Sequence, residues 1–332
     1  MATEPTVFET KLTGSPSNIG RPMPDLPWRH PVKQGFATVG ENRLAEPISM
    51  YYELHGNGPK KAAFIMGLNA ACQTWDYQTT YFGGSGEYTV LVFDARGVGW
   101  TDGDWDWYNT AEWAEDVLDL LDYIGWRKDI HIVGHSAGGE VLLKMLLSNR
   151  SVGRFRSASL LNTTAGGIPP FTGGWVIISN AFIKDPQVQM ERLIKVNYTE
   201  SWLKARPDDD ASFETNYEKV KARIKARQSR NRPQKLGAMI SQSVAAMRHW
   251  VTESELDSIQ QSGVPILVAT NTWDNFIHSS HSYHLRDKLQ PRRFVVFEDT
   301  GHIVPTAKHA ELNKVLQDFW DQVQHPPATT AS

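Results

Sequence analysis

Cysteine is almost absent from this sequence: Cys72 is the only one in 332 residues. A disulfide framework within the chain is therefore excluded, and a reducing compartment is the expected setting. The first residues lack the basic start and apolar run of a secretory signal, and no stretch approaches the roughly 18 uninterrupted apolar residues that cross a bilayer. A cytoplasmic protein with no membrane span is the expectation. Net charge is also small. The 34 Lys and Arg nearly balance 37 Asp and Glu, for a formal −3, which argues against the concentrated basic face that nucleic-acid binding requires. No internal repeat is visible, and no spacing bears on oligomeric state. Small-molecule chemistry is what these absences leave.

Apolar material is ample: 40% of residues are hydrophobic, enough for a sizeable buried core. Residues 1–34, with Pro16, Pro22, Pro24, Pro27 and Pro31, are expected to form an extended arm. From residue 35 the pattern changes. Phe36 to Val39 and Ile48 to Leu54 are β-prone runs separated by a polar turn, consistent with an antiparallel hairpin. Ala62 to Met66, Tyr88 to Phe93, Ile130 to Val133 and Ala158 to Leu161 are continuous apolar runs, as suits parallel strands covered on both faces. Between them Trp113, Val117, Leu120, Leu121 and Ile124 recur at helical spacing, and a second helix begins at Gly139. This is βαβ order and predicts an α/β fold with a mostly parallel sheet. Over residues 165–251 the strand signal disappears and the chain becomes helical and polar, which reads as an inserted helical cap entered through Gly166, Gly167, Pro169 and Pro170. The strand pattern resumes at Pro265 to Ala269 and Phe294 to Phe297, before a last amphipathic helix with Leu312, Val315, Leu316 and Phe319. The core is thus expected over 35–164 and 252–325.

The run Ile130 to Glu140, IHIVGHSAGGE, holds a strand, the turn Gly134-His135-Ser136-Ala137-Gly138 and the start of a helix. A G-x-S-x-G elbow in that context lifts a serine out of the sheet edge. Side chains at 134 and 138 would collide with neighbouring elements in so sharp a turn. The helix that follows aims its N-terminal amides at the site and favours negative charge there. Ser136 is the expected nucleophile.

A serine hydroxyl needs a base within hydrogen-bond reach, and the base needs a partner that fixes its tautomer. Asp274 follows the Pro265 strand and His302 follows the Phe294 strand, both at strand C-terminal ends, where open α/β sheets build their sites. The order Ser, Asp, His agrees with the elbow. Glu298 and Asp299 rival Asp274 but sit too close in sequence to His302 to approach its ring. His30 and His325 lie in terminal segments, His135 is expected to point away from Ser136, and His249 to be capped or solvated. His278, His281 and His284, at three-residue spacing, read as a polar helix start in preference to a metal site. An oxyanion needs two backbone amides aimed at one point. Ala137 supplies one, and Leu68 in the bend Gly67-Leu68-Asn69 the other. The expected chemistry uses no cofactor and no metal.

These residues resemble the α/β-hydrolase fold family, in the branch with a helical cap that includes esterases, lactonases, proline iminopeptidase-like enzymes and carbon–carbon bond hydrolases. The similarity spans about residues 35–323. Besides the elbow, Asp94-Ala95-Arg96-Gly97-Val98-Gly99-Trp100-Thr101 resembles the family's D-x-R-G-x-G-x-[ST] stretch, and Gly301-His302 its G-H before the final helix. The resemblance implies Ser136, Asp274 and His302 as a triad, with Leu68 and Ala137 as amide donors. Two positions depart from the pattern: Met66-Gly67 stands where His-Gly is usual, and Pro305-Thr306 where an acidic residue often follows the histidine. Members that open epoxides or displace halide carry Asp as nucleophile, so Ser136 implies acyl transfer to water. The same three residues also serve carbon–carbon cleavage, lyase and perhydrolase chemistry, and a receptor that binds a small ligand with little turnover stays open. The 12 tryptophans, most of them expected in core or lid packing, suggest an apolar pocket and hence an uncharged ester or lactone with a hydrophobic body. The basic run Lys219, Lys221, Arg223, Lys225, Arg227, Arg230 and Arg232 is expected to be the solvated face of a cap helix, opposite Tyr217, Val220 and Ile224.

Overall fold

Strands β1 (Lys33–Val39) and β2 (Ile48–His55) pair antiparallel, the hairpin expected from their sequence. With β3 (Lys60–Ile65), β4 (Tyr88–Phe93), β5 (Ile130–His135), β6 (Phe155–Leu161), β7 (Ile266–Asn271) and β8 (Arg293–Phe297) they form one eight-stranded sheet in the order β1-β2-β4-β3-β5-β6-β7-β8. β2 meets β4 antiparallel, and every pair beyond it is parallel. The fold is the α/β class that the strand and helix order predicted. The computed structural model describes residues 29–167, 171–180 and 182–324. Residues 1–28 of the expected arm, Pro169, Pro170 and His325 lie outside the described residues.

The helices, in chain order, are α1 (Asp76–Gly84), α2 (Thr110–Tyr123), α3 (Ala137–Leu147), α4 (Phe171–Asn180), α5 (Pro186–Asn197), α6 (Glu200–Lys204), α7 (Asn216–Arg230), α8 (Leu236–Met247), α9 (Glu253–Gln261), α10 (Ser279–Leu289), α11 (Val304–Ala307) and α12 (His309–Gln324). They cover both sheet faces because the strands are apolar on both. Ala63, Ile65, Leu91, Phe93, Ile130 and Ile132 enter one cluster with Trp113, Leu121, Val141, Leu256 and Leu285 from α2, α3, α9 and α10. The alternate residues Ala62, Phe64, Val90, Val92 and Val133 enter another with Phe82 of α1 and Leu312, Leu316, Phe319 and Trp320 of α12. Asn109 starts α2 with a capping box to Glu112.

Between β6 and β7 the described residues hold helices α4 to α9 and no strand, save an isolated bridge from Gly166 to Trp250. Met190, Ile194, Tyr198, Leu203 and Val220 give this segment a small apolar cluster of its own. No helix among the described residues is long and apolar enough to cross a membrane.

Three expectations change. The sheet begins at Lys33, inside the expected arm, and Arg29 is buried in ion pairs with Glu53 and Asp76. The basic run is not a solvated face. Lys219 and Arg230 are buried; Lys219 pairs with Asp209, and Arg230 meets Glu53 at 3.0 Å. Glu53 lies wholly inside the protein on β2, and a buried carboxylate requires charge partners, which the end of α7 supplies. The tryptophans also divide. Trp100 and Trp113 are buried, but Trp105, Trp107, Trp175 and Trp250 are 60%, 63%, 54% and 62% exposed, so these four do not pack in the interior.

Candidate active site

Ser136 sits at the junction of β5 and α3 with φ 58° and ψ −127°, a left-handed conformation that costs strain in any residue with a side chain. The surroundings hold it there. Its N–H donates to the Leu161 carbonyl at 2.9 Å, and its own carbonyl accepts from the Gly139 N–H and the Thr163 hydroxyl, both at 2.8 Å. A Cβ at Gly134 would lie 2.4 Å from the Gly138 oxygen, and one at Gly138 would lie 2.3 Å from the Ile65 oxygen. Both positions therefore admit only glycine, for the crowding reason that the turn implies.

His302 follows β8 and bridges two groups from elsewhere in the chain. Its Nε2 is 2.9 Å from Ser136 Oγ, and its Nδ1 lies 2.9 and 2.8 Å from the two Asp274 carboxylate oxygens. Asp274 also accepts the Phe276 and Ile277 N–H groups at 2.8 and 2.9 Å, and the Asn162 amide at 2.9 Å. Burial works to raise its pKa, but the His302 charge and hydrogen bond, with the two backbone donors, hold it below the ordinary carboxylate value. An ionised carboxylate against Nδ1 favours the tautomer that leaves Nε2 free to accept the serine proton. The Phe276 ring lies 5.0 Å from the His302 ring.

His135 points away from Ser136 Oγ and supports the base from behind. Its Nε2 donates to the His302 carbonyl at 2.8 Å, and burial pushes its pKa down to about 3, which keeps it neutral. The Asn271 amide donates to the Gly301 carbonyl, tying the same loop to β7. On the other side of the nucleophile, a Cβ at Gly67 would lie 2.8 Å from Ser136 Cβ and 3.2 Å from its Oγ. The bend after β3 therefore passes directly against the serine, and Leu68 is the next residue in that bend.

The other sequence candidates have local partners. Asp299 accepts from the Ser201 hydroxyl at 2.7 Å. His249 is buried against the Thr110 hydroxyl at 2.8 Å, and burial lowers its pKa to about 3. His278 is the N-cap of α10, as a polar helix start implies, while His281 meets Thr164 at 2.9 Å and His284 meets Glu253 at 3.2 Å. Among the described residues no group of three or more His, Cys, Asp or Glu side chains is placed to hold a metal. Sequence reasoning missed Asn162. Its position directly after the apolar run of β6, at the strand ends where the other site residues lie, was the available signal.

A family model described as "alpha/beta hydrolase fold" matches residues 67–305. A non-heme chloroperoxidase from Kitasatospora aureofaciens is 32% identical over 123 residues, 37% of this chain, and the match spans only 42% of that relative. An esterase from Thermogutta terrifontis superposes with a TM-score of 0.69 at 18% identity, covering 88% of this chain and 99% of its own. An enol-lactonase from Burkholderia xenovorans LB400 superposes with a TM-score of 0.65 at 17% identity, covering 82% and 97%. At such identities the two structures speak for the fold alone.

Proposed function

This chain belongs to the alpha/beta hydrolase fold family; from that premise we propose that it is a serine hydrolase, cleaving a carboxylic ester or lactone with a hydrophobic body through an acyl-enzyme. The observation that carries the reading is the chain of hydrogen bonds from Ser136 Oγ through both ring nitrogens of His302 to Asp274. As Ser136 Oγ attacks the substrate carbonyl carbon, His302 Nε2 takes its proton and Asp274 stabilises the imidazolium. The Leu68 and Ala137 N–H groups donate hydrogen bonds to the carbonyl oxygen as negative charge develops on it. Collapse breaks the bond to the leaving alkoxide, which receives the proton from His302. Water, deprotonated by the same nitrogen, then releases the acid and restores the serine.

Phe276 beside His302, and an apolar Leu68 next in the chain to the Gly67 that packs on Ser136, favour an uncharged, apolar substrate body. The helical segment over 165–251 serves as the cap, seated on the core through Arg230 at the end of α7 as well as through α8. A graded series of acyl 4-nitrophenyl esters tests the reading. Turnover is expected in the parent protein and loss of about 10³-fold or more in Ser136→Ala, with the melting temperature unchanged. Full activity in Ser136→Ala would remove the mechanism. Product analysis with hydrogen peroxide present separates acyl transfer to water from perhydrolysis.

A further inference from the structure

The helical segment grips the core at the bend after β3. Asn69, the residue after Leu68, has φ 54°, a left-handed conformation uncommon without glycine. Two glutamines hold it there. Gln242 of α8 accepts the Asn69 N–H at 2.6 Å, and Gln234, just before α8, donates from Nε2 to the Asn69 side-chain oxygen at 3.0 Å. The Gln242 amide oxygen must face that N–H, because the flipped amide would set donor against donor.

Gln242 is fully buried, and its Nε2 has no hydrogen-bond partner among the described residues. A leucine or methionine would fill the same space without that unsatisfied donor, which costs the fold stability. What the amide alone delivers is the acceptor for Asn69 N–H. Its neighbours on α8 leave it little freedom to move. Ala238 packs so closely on Gly97 that a Cβ there would lie 2.4 Å away, and the Ser241 hydroxyl accepts the Asp106 N–H at 2.9 Å.

We infer that Gln242 and Gln234 are positioning residues that set the Leu68 amide from the helical segment, so that the oxyanion site is complete only while that segment is seated. The inference rests on the serine-hydrolase reading. Adjacent peptide planes share one Cα and only two soft torsions; pinning the plane that carries Asn69 N–H restrains the one that carries Leu68 N–H. A donor displaced by about 1 Å loses on the order of 100-fold in rate.

The test compares Gln242→Leu, Gln242→Glu and Gln234→Leu on 4-nitrophenyl butyrate at pH 8. Gln242→Leu loses the acceptor, and its kcat is expected to fall about 10- to 100-fold with KM changed by no more than about threefold. Gln242→Glu keeps an acceptor facing Asn69 and, buried without a charge partner, holds its proton at lower pH; compared with the parent at pH 6, and with its melting temperature checked, it is expected to retain kcat within about threefold. Gln234→Leu, at a half-buried position that tolerates the change, is expected to lower kcat in the same sense; combined with Gln242→Leu the losses should be less than additive, since both act through Asn69. Parental kcat in both leucine variants overturns the inference, and so does a loss that Gln242→Glu shares in full. If the parent protein turns over no ester at all, the hydrolase reading itself fails, a result distinct from either.

Discussion

Replacing Gly67 by alanine places one methyl group against the nucleophile. Carbon atoms rest about 3.5–4.0 Å apart in ordinary contact, whereas the new Cβ would stand 2.8 Å from Ser136 Cβ and 3.1 Å from the His135 oxygen. Something must move by about 0.7–1.2 Å. Ser136 cannot easily yield, because its N–H and carbonyl are both committed to hydrogen bonds with β6, α3 and Thr163, and His135 ends a central strand. The bend after β3 is what must give, against the hydrogen bonds from Gln242 and Gln234 that hold Asn69, and it carries Leu68. A shift of about 1 Å at a donor lowers the rate by on the order of 100-fold, equivalent to about 2.7 kcal/mol of barrier. Overpacking costs the fold about 1–3 kcal/mol besides. Steady-state kinetics on 4-nitrophenyl esters read the first effect and thermal melting the second. A Gly67→Ala protein with parental kcat would refute the reasoning, because the methyl would then have been absorbed without disturbing the serine or the bend.

Glu140 sits in the first turn of α3, buried, with one carboxylate oxygen lacking a partner among the described residues; burial raises its pKa from the ordinary 4.5 to about 8. The folded state therefore binds this proton more tightly than the unfolded state. The associated stability is complete below about pH 4.5 and is lost as pH rises through about 8, a change of a few kcal/mol in order of magnitude. Glu140→Gln should raise the melting temperature at pH 9 and leave it nearly unchanged at pH 5; an equal effect at both would contradict the assignment. Asp274→Asn should lower kcat by about 10³- to 10⁴-fold without unfolding the chain, because an amide N–H facing His302 Nδ1 favours the wrong tautomer; a loss below about tenfold would show that the carboxylate is not needed.

Strands buried on both faces were the most legible part of the fold. Ala62, Phe64, Val90 and Val92 are as apolar as the residues that alternate with them, so β3 and β4 stand out as continuous runs. Helix α1 does not, since Asp76–Gly84 ends in two glycines and carries no apolar stripe. Ser136, Asp274 and His302 were each recognisable from their own strand ends, and the structure brings the three side chains into hydrogen-bond contact. Their supports were not recognisable. Asn162 lies 112 residues from Asp274, and Gln242 lies 173 residues from Asn69, and nothing in either local pattern marks an amide for such a partner. The basic run of α7 misled for the same reason: its periodicity fits a solvated face, but the groups that claim Arg230 and Lys219 belong to β2 and to the chain before α7.

The most direct test of the central claim is stoichiometric reaction with a fluorophosphonate, followed by peptide mass spectrometry. Such a reagent phosphonylates a serine activated by a neighbouring base. One phosphonyl group per chain is expected on the peptide that contains Ser136, with labelling abolished in Ser136→Ala and strongly slowed in His302→Ala. No labelling of the folded protein, or labelling on another residue that survives Ser136→Ala, would contradict the account.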